Sequence, residues 1–405
     1  MKAAAACTVV LASCLVLSCA QEPQPRDVLV KAREIAHQTI IVDTHIDLPY
    51  RLTHRMEDIS VRTTGGDFDY PRAVEGGLNV PFMSIYIPAG YEGRGARKFA
   101  DTLIAMVEDF VVDWPDKFSI ARSVSDVHAQ VAEGKISMAL GMENGAPIEG
   151  KLENVRYFYD RGIRYITLTH SKDNHICDSS YDTTRTWNGL SPFGRKVVGE
   201  MNRLGIMVDV SHITDSAFYQ VMAMTKAPVI ASHSSCRFFT PSFERNMDDG
   251  MIRLLASKGG VIQINFGSTF INDTIRNAYA SGSKGLDEHL KSLHLERDDE
   301  AARPIVREYF REHGIRYATV AEVVAHIDHV VELVGVDHVG FGSDFDGVGY
   351  TLPVGLEDVS CYPNIIAELL RKGYSEEDIG KICSGNILRV WSEVEQTAHR
   401  LQQSP

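Results

Sequence analysis

Short apolar runs rich in β-branched residues alternate along the chain with longer amphipathic stretches. There are eight such runs, covering residues 39–45, 78–87, 136–143, 163–170, 205–212, 227–233, 259–266 and 338–345. Stretches with helical periodicity lie between them, at residues 99–114, 154–161, 194–204 and 320–334. Strands that are buried on both faces read as continuous apolar runs, so eight β–α units predict an α/β fold, a closed (β/α)8 TIM-type barrel. An open doubly wound sheet is the alternative architecture.

The apolar pattern predicts a single domain over residues 28–395, followed by a C-terminal tail at 396–405. No internal repeat, low-complexity linker or Pro-rich break divides the folded part of the sequence. A charged segment at 273–316 interrupts the alternation after the seventh run and predicts one or two surface helices that cap the barrel. The simplest expectation for this helical insertion is a solvated excursion without chemistry.

The N-terminal residues have the pattern of an export signal. One Lys precedes a short apolar run, and small residues and a polar, Pro-containing stretch follow. VLSC, ending at Cys19, resembles a bacterial lipobox, in which the cysteine is lipidated; LASC, ending at Cys14, fits the same consensus, and an ordinary cleaved signal peptide is the alternative. We expect a signal peptide with lipobox at 1–19, a tether at 20–27, and a periplasmic or membrane-anchored lipoprotein of the bacterial cell envelope.

Composition narrows the class of protein. The chain has 405 residues, of which 44% are hydrophobic and 23% charged, values typical of a soluble protein with a large core. Its formal net charge of -13 argues against nucleic acid as a partner, because that needs a concentrated basic face. Beyond the signal, four cysteines allow three full pairings: Cys177, Cys236, Cys361 and Cys383. None lies in a CxxC pair, so a cysteine-based zinc site is not expected.

Six of the eight runs end at or beside a residue that can bind a metal ion or move a proton. These residues are His45, Asp47, Glu143, His170, His212, His233 and Asp344. Any one of them alone is more typical of a hydrogen-bonded histidine or a helix-capping aspartate. In a (β/α)8 barrel, however, the carboxyl ends of the strands meet on one face, where active sites are built. Imidazole and carboxylate ligands suit Zn²⁺, so this face predicts a zinc site.

These residues would suit a two-metal hydrolysis. A pair of metal ions turns a bridging water into the attacking hydroxide and polarises a scissile carbonyl. Asp344 would take the proton of that water and pass it to the leaving nitrogen. His170 is either a further ligand or a group that stabilises the oxyanion. Arg245 follows the sixth run and would bind a substrate carboxylate; its alternative is a surface ion pair with Glu244 or Asp248.

Several motifs together resemble the membrane dipeptidase (renal dipeptidase) family, zinc peptidases within the amidohydrolase-like barrels. The motifs are DTHIDLPYR, GMENG, YITLTHS, GLSPFGRKVVGEMNRLGIMVDVSH, APVIASHSS, ERN and GFGSDFDG. They extend from about residue 35 to residue 390. GLSPFG followed by a helix and the VDVSH strand is the most specific of them.

The resemblance implies two zinc ions per chain. Glu143 would bridge them, with His45 and Asp47 on one ion and His212 and His233 on the other. All these positions are filled, so the metal shell has no mark of an inactive relative.

The resemblance also implies the roles of three further residues. The histidine at position 170 would contact the carbonyl region of the substrate, Arg245 would bind the C-terminal carboxylate of a dipeptide, and Asp344 would carry the proton. Family members hydrolyse dipeptides, many accept a D-residue on the C-terminal side, and some open β-lactams. A β-lactam or N-acyl amino acid amidohydrolase is therefore the alternative enzyme, and a non-enzymatic envelope lipoprotein is the alternative class.

Three further expectations concern specificity and assembly. In the loop after the fourth run, Asp173, Asp178 and Asp182 could favour a basic side chain on the substrate, or they could form a solvated acidic loop. The chain ends in TAHRLQQSP without the apolar tail of a glycolipid anchor, so we expect membrane attachment through the N-terminal lipid. Homodimers occur in the family, and by analogy a homodimer is the expected assembly.

Overall fold

The computed structural model describes residues 1, 25–297 and 301–403 of the chain. Apart from Met1, the expected signal peptide lies outside the described residues, and so do the candidate lipidation sites Cys14 and Cys19. Most of the expected tether is also outside this part of the chain.

Eight parallel strands close into a barrel, as the apolar runs predict. The nine strands of the described residues are β1 (Ile41–Ile46), β2 (Leu78–Tyr86), β3 (Phe118–Ile120), β4 (Ile136–Glu143), β5 (Ile163–Thr167), β6 (Met207–Asp209), β7 (Ile230–Ser234), β8 (Val261–Ile264) and β9 (Val339–Phe341). The barrel order is β1, β2, β4, β5, β6, β7, β8, β9, and β9 pairs with β1. The short strand β3 pairs only with β4 and lies outside the barrel.

Helices precede, connect and follow these strands. They are α1 (Pro25–Gln38), α2 (Leu48–His54), α3 (Tyr70–Gly76), α4 (Ala96–Asp113), α5 (Val124–Ala132), α6 (Glu153–Asp160), α7 (Pro192–Leu204), α8 (Asp215–Met224), α9 (Asp249–Ser257), α10 (Ser268–Ile271), α11 (Asp273–Ser292), α12 (Ala302–Glu312), α13 (Val320–Val334), α14 (Tyr362–Arg371), α15 (Glu376–Gly380) and α16 (Asn386–Gln403). Local signals explain their ends. Thr319 and Glu322 form a reciprocal cap at the start of α13, and Gly205, with φ 87°, ends α7.

The interior of the barrel is filled by large side chains. Phe82 and Tyr165 lie inside it with their ring centroids 5.6 Å apart. A Cβ at Gly141 would come within 1.9 Å of the Tyr165 ring, so glycine at this position makes room for the tyrosine. Trp391 of α16 contacts Phe82 at 5.3 Å and packs against residues at the amino ends of several strands. The carboxyl end of the barrel is thereby left for polar side chains.

The helical insertion after the seventh barrel strand is present, as expected. Helices α11 and α12 share a small apolar core of their own, which includes Leu286, Leu290, Val306 and Phe310. Arg303 of α12 donates a hydrogen bond of 3.2 Å to the buried carboxylate of Asp67, at the mouth of the barrel.

Both boundaries of the domain differ slightly from the sequence-based expectation. Helix α1 begins at Pro25 rather than at Val28, and α16 continues through most of the expected C-terminal tail. Thr397 and Ala398 are buried, because the apolar face of α16 continues onto α7. Within the part of the chain that is described, the cysteines form no disulfide. No helix there has both the length and the apolar character required to span a membrane.

Candidate metal centre

The carboxylate of Glu143 lies at the centre of a cluster of imidazoles on the carboxyl face of the barrel. Its Oε1 is 3.0 Å from Nε2 of His212 and 3.3 Å from Nε2 of His233. Its Oε2 is 3.3 Å from Nε2 of His45. His170 also faces Oε1, at 3.6 Å from its Nε2. The two oxygens of one carboxylate therefore face different histidines.

Two aspartates complete the His45 side of the cluster. Oδ2 of Asp47 is 3.5 Å from Nε2 of His45, and Oδ1 of Asp344 is 4.0 Å from the same nitrogen. Both carboxylates are buried, at 5% and 8% exposure. The structure thus brings together all seven side chains expected at the strand ends.

The donor set fits divalent metal ions. The side chains form three groups of possible ligands, and within each group the ligand atoms lie within 4.8 Å of one another. Each group contains a buried histidine and at least one carboxylate. Nε2 of His45 and Oδ1 of Asp47 are buried and have no hydrogen-bond partner among the residues that the structure describes. Nε2 of His212 lies only 2.8 Å from Nε2 of His233. Buried polar atoms left without partners are costly, and nitrogen and carboxylate oxygen donors in this arrangement suit zinc.

Some of these side chains belong to the strands, and two lie just beyond the strand ends. His45 and His233 belong to β1 and β7, and Glu143 is the last residue of β4. His212 and Asp344 follow their strands in the left-handed region, with φ of 70° and 64°. Non-glycine residues adopt this conformation at an energetic cost, which commonly marks functional sites.

Gly347 allows close packing behind the two aspartates. A Cβ built at this position would come within 2.1 Å of Oδ2 of Asp47 and 2.2 Å of Oδ1 of Asp344. Any side chain here would displace both carboxylates. The last glycine of the GFGSDFDG motif is therefore required by the limited space around the site.

The charges of the cluster alter its proton affinities in opposite directions. Burial tends to raise the pKa of Glu143, but the charges of His45 and His170 outweigh it and hold that pKa well below its usual range. Burial lowers the pKa of His212 and of His233 well below the ordinary value, which favours neutral imidazoles that can bind a metal ion. Burial raises the pKa of Asp47 as well.

Asp344 has the proton affinity of a general acid–base. Burial raises its pKa to about 7, the charges of Asp47 and Glu143 add to that rise, and those of His45 and Arg245 oppose it. A group that titrates near neutral pH both accepts and releases a proton under ordinary conditions.

Sequence reasoning missed three polar side chains at this face. Ser84 and Tyr86 lie at the end of β2, and the Ser84 hydroxyl donates to Oε2 of Glu143 at 3.3 Å. Asn265 follows β8 and donates from Nδ2 to Oδ2 of Asp344 at 2.7 Å. These are the two strands whose ends carried no candidate metal ligand or proton carrier. The position of Ser84, Tyr86 and Asn265 at the carboxyl ends of these two strands was the sequence signal that could have identified them.

Arg245 is buried beside the cluster. Its two terminal nitrogens donate to the hydroxyl of Ser234 and to the carbonyl of His233, both at 2.7 Å, while Nε has no hydrogen-bond partner in the described part of the chain. The guanidinium lies over the ring of Phe270, 5.4 Å from its centroid. The sequence alternative, a surface ion pair with Glu244 or Asp248, is not what the structure contains; Glu244 instead contacts Arg185.

The cluster of histidines and carboxylates opens into a cavity of about 1510 Å³. Side chains from the barrel and from the helical insertion line it, and they include Asp47, Tyr86, His170, Asp344, Tyr279 and Phe310. The insertion therefore forms a wall of this cavity and is not only a solvated excursion.

The acidic loop has other partners than a substrate. The carboxylate of Asp173 accepts from the backbone of Ser179, and that of Asp178 accepts from the backbone of Trp187. Asp182 accepts from the backbone and side chain of Thr184. These bonds hold the loop itself, so the hypothesis of a basic substrate side chain has no support in the geometry.

The chain is similar to known metallopeptidases. The family model described as membrane dipeptidase (peptidase family M19) matches residues 29–405. The probable dipeptidase PvdM from Pseudomonas aeruginosa is 28% identical, with 92% of this chain and 100% of that chain covered and a TM-score of 0.76. A metallo peptidase from Rhodobacter sphaeroides, liganded with a phosphinate mimic of the dipeptide L-Ala-D-Ala, is 25% identical, with 88% and 99% covered and a TM-score of 0.72. The chain belongs to the membrane dipeptidase family, peptidase family M19, and is a metallopeptidase of that family.

Proposed function

We propose that this protein hydrolyses dipeptides, L,D- as well as L,L-, with two zinc ions per chain. The observation that carries the proposal is the position of Glu143, whose Oε2 faces His45 and whose Oε1 faces His212 and His233. A carboxylate in this position can bind one ion with each oxygen. His45 and Asp47 would hold one ion, and His212 and His233 the other. Ions bound there would activate a water molecule for attack and polarise the scissile carbonyl.

Asp344 is the residue to move the proton. Burial raises the pKa of its carboxyl group, and Oδ1 faces the Nε2 atom of His45, so Asp344 is placed to accept a proton from the attacking water and to release it to the leaving nitrogen. Asn265 holds Oδ2 of this carboxylate, which leaves Oδ1 directed toward His45. One oxygen is thereby fixed while the other remains for proton transfer.

His170 and Arg245 would bind the substrate. His170 lines the cavity, and its Nε2 is 3.6 Å from Oε1 of Glu143. From this position its imidazole can donate to the developing oxyanion. The guanidinium of Arg245 has five N–H donors, of which two bind Ser234 and His233, so donors remain for the C-terminal carboxylate of a dipeptide. The dipeptide mimic in the Rhodobacter sphaeroides neighbour supports the acceptance of a D-residue on the C-terminal side.

Steady-state kinetics on the zinc-loaded enzyme test this function. The panel consists of L-Ala-L-Ala, L-Ala-D-Ala, an N-acetylated amino acid and a β-lactam. We expect the largest kcat/KM on the dipeptides and loss of turnover after chelation, restored by zinc. Higher kcat/KM on the acyl amino acid or the β-lactam would contradict the proposal, and so would full activity without metal.

We also propose export and attachment through a lipid on Cys19, with homodimer assembly. The support is the VLSC motif after an apolar run, together with analogy to the family for the dimer. Labelling cells with a radioactive fatty acid tests the anchor. Label in the wild type that is lost in Cys19→Ala but kept in Cys14→Ala is the expected result. Sedimentation of the purified protein tests the dimer.

A further inference from the structure

A tyrosine inside the barrel reaches one of the proposed metal ligands. Tyr165 lies on β5, and its hydroxyl is 2.8 Å from Nδ1 of His45 on β1. The two strands are not neighbours in the barrel, so the contact is made across its interior. Both side chains are fully buried. The Tyr165 hydroxyl therefore contacts the ring nitrogen of His45 that faces away from Glu143.

A serine makes the equivalent contact on the other side of the cluster. The hydroxyl of Ser232 is 2.7 Å from Nδ1 of His233, the next residue in β7. The same hydroxyl donates to Oδ2 of Asp209 at 2.6 Å. Asp209 also accepts from the backbone amide of Ser232, at 2.8 Å, and from the hydroxyl of Thr167, at 2.5 Å. The carboxylate that receives the serine proton is thus itself held by two neighbouring strands.

The direction of these bonds follows from proton counting. A serine hydroxyl has one proton, and here that proton goes to the carboxylate of Asp209. Its oxygen must then accept from Nδ1 of His233, which places the imidazole proton on Nδ1. Nε2 is left with its lone pair, directed at Glu143. For His45, a metal ligand at Nε2 requires the same tautomer, in which Nδ1 donates to the oxygen of Tyr165.

The third imidazole among the proposed metal ligands lacks such a contact within the described residues. Nδ1 of His212 is buried and has no hydrogen-bond partner. Each proposed ion therefore has one histidine that a hydroxyl orients: His45 for the ion shared with Asp47, and His233 for the other.

We propose that Tyr165 and the Ser232–Asp209 pair are positioning residues, each of which fixes the tautomer and ring orientation of the histidine at one of the two metal sites. This inference rests on the proposed two-ion function. Groups that hydrogen-bond to a metal-ligating imidazole typically change metal affinity by about 10- to 100-fold when removed. Tyr165 would set the affinity of the His45–Asp47 site, and Ser232 that of the His212–His233 site.

Zinc affinity measured by competition with a chromophoric chelator tests the proposal without relying on activity. Tyr165→Phe and Ser232→Ala each remove one hydroxyl and leave the rest of the side chain. We expect each variant to raise one of the two zinc dissociation constants by about 10- to 100-fold and to leave the other near its wild-type value. The double variant should raise both. Ser232→Thr keeps a hydroxyl and should recover most of the affinity lost in Ser232→Ala.

Assignment of each effect to a site uses a background with one site disabled. When the background is Asp47→Ala, adding Ser232→Ala should lower the zinc affinity of the remaining site. Adding Tyr165→Phe should leave that affinity unchanged. Ser137→Ala is the matched control, because it also removes a buried hydroxyl from a barrel strand, one that donates to Gln130 at 2.7 Å and not to a metal ligand. Its zinc affinities should equal those of the wild type.

Two results would overturn the proposal. One is wild-type zinc affinity at both sites in Tyr165→Phe and Ser232→Ala; the other is an equal loss in Ser137→Ala. If the wild type itself bound fewer than two zinc ions, the proposed function would fail instead. A wild type with two ions and dipeptidase activity, beside variants with unchanged affinities, would remove only this inference.

Discussion

Nδ2 of Asn265 donates a hydrogen bond of 2.7 Å to Oδ2 of Asp344. The amide also binds its own loop, since its Oδ1 accepts from the backbone of Gly267 at 2.7 Å. Asn265 is completely buried. A fixed amide therefore holds one oxygen of the carboxylate that is proposed to transfer the proton.

Replacing Asn265 with alanine should lower kcat with zinc content unchanged. A hydrogen bond to a charged group is worth about 1.5–3 kcal/mol, and we expect a loss of about 10- to 100-fold because the bond holds Asp344 in position for proton transfer. Steady-state kinetics and metal analysis on the same preparation check this. Loss of zinc with loss of activity would show instead that Asn265 supports the metal centre.

Replacing Asp344 with asparagine should remove the proton carrier and keep the shape of the site. General acid–base groups typically contribute about 10²- to 10⁴-fold to the rate, so we expect kcat to fall within that range. Zinc content, measured by atomic absorption, should remain that of the wild type. Wild-type turnover in this variant would assign the proton transfer to another group.

Replacing Glu143 with glutamine should lower metal content before it affects the fold. The carboxylate has two oxygens that can bind metal ions, one facing His45 and the other facing His212. The neutral amide of glutamine has only one oxygen, which is a weak metal ligand. We expect loss of at least one zinc per chain, with a far-ultraviolet circular dichroism spectrum like that of the wild type. An unchanged stoichiometry of two would contradict the bridging position of Glu143.

Adding a single methyl group at Gly347 should damage the site. The new Cβ would come within 2.2 Å of oxygens of Asp47 and Asp344, so both carboxylates must move. We expect at least about a tenfold loss of kcat/KM, because displacement of catalytic groups by about 1 Å is sufficient for losses of that size. Gly199→Ala is the control, since among the described residues no heavy atom lies within 4 Å of its new methyl group, apart from those of its chain neighbours and of the backbone of its own helix. Its activity should be that of the wild type.

Protonation of His326 should contribute to acid unfolding. This buried histidine accepts a hydrogen bond from the backbone of Cys236 at 3.0 Å, and its other ring nitrogen donates to the carbonyl of Ile271 at 2.9 Å. Burial lowers its pKa to about 4. The unfolded chain, with a histidine pKa of about 6.5, takes up the proton first as the pH falls. The stabilising contribution of His326 is therefore present above about pH 6.5 and is lost as the pH falls to about 4.

Urea unfolding of the wild type and His326→Gln, both with chelator present, measures this contribution. The free energy of unfolding of the wild type should fall by more than that of the variant between pH 6.5 and pH 4. The additional fall should be on the order of 3 kcal/mol. Parallel pH dependences would show that His326 does not titrate differently in the folded and unfolded states.

Local patterns in the sequence identify most of the fold. The eight apolar runs correspond to the eight barrel strands, and the periodic stretch at 320–334 is helix α13. Strand β3 lies outside the barrel, is not fully buried and has no long apolar run, and it is held by pairing with β4. The continuation of α16 into the expected tail was missed because it depends on contact with α7, far away in the sequence.

The sequence by itself determined which side chains are at the carboxyl ends of the strands, because the point at which a continuous apolar run ends is a local property of the sequence. Barrel closure then had to place His45 beside Asp344 and Glu143 beside His233. Only the tertiary structure decided how each of these groups is held. The contacts of Asn265 with Asp344, of Tyr165 with His45 and of Gly347 with Asp47 join residues 79, 120 and 300 positions apart. Such contacts depend on packing in three dimensions, and the periodicity of the sequence does not predict them.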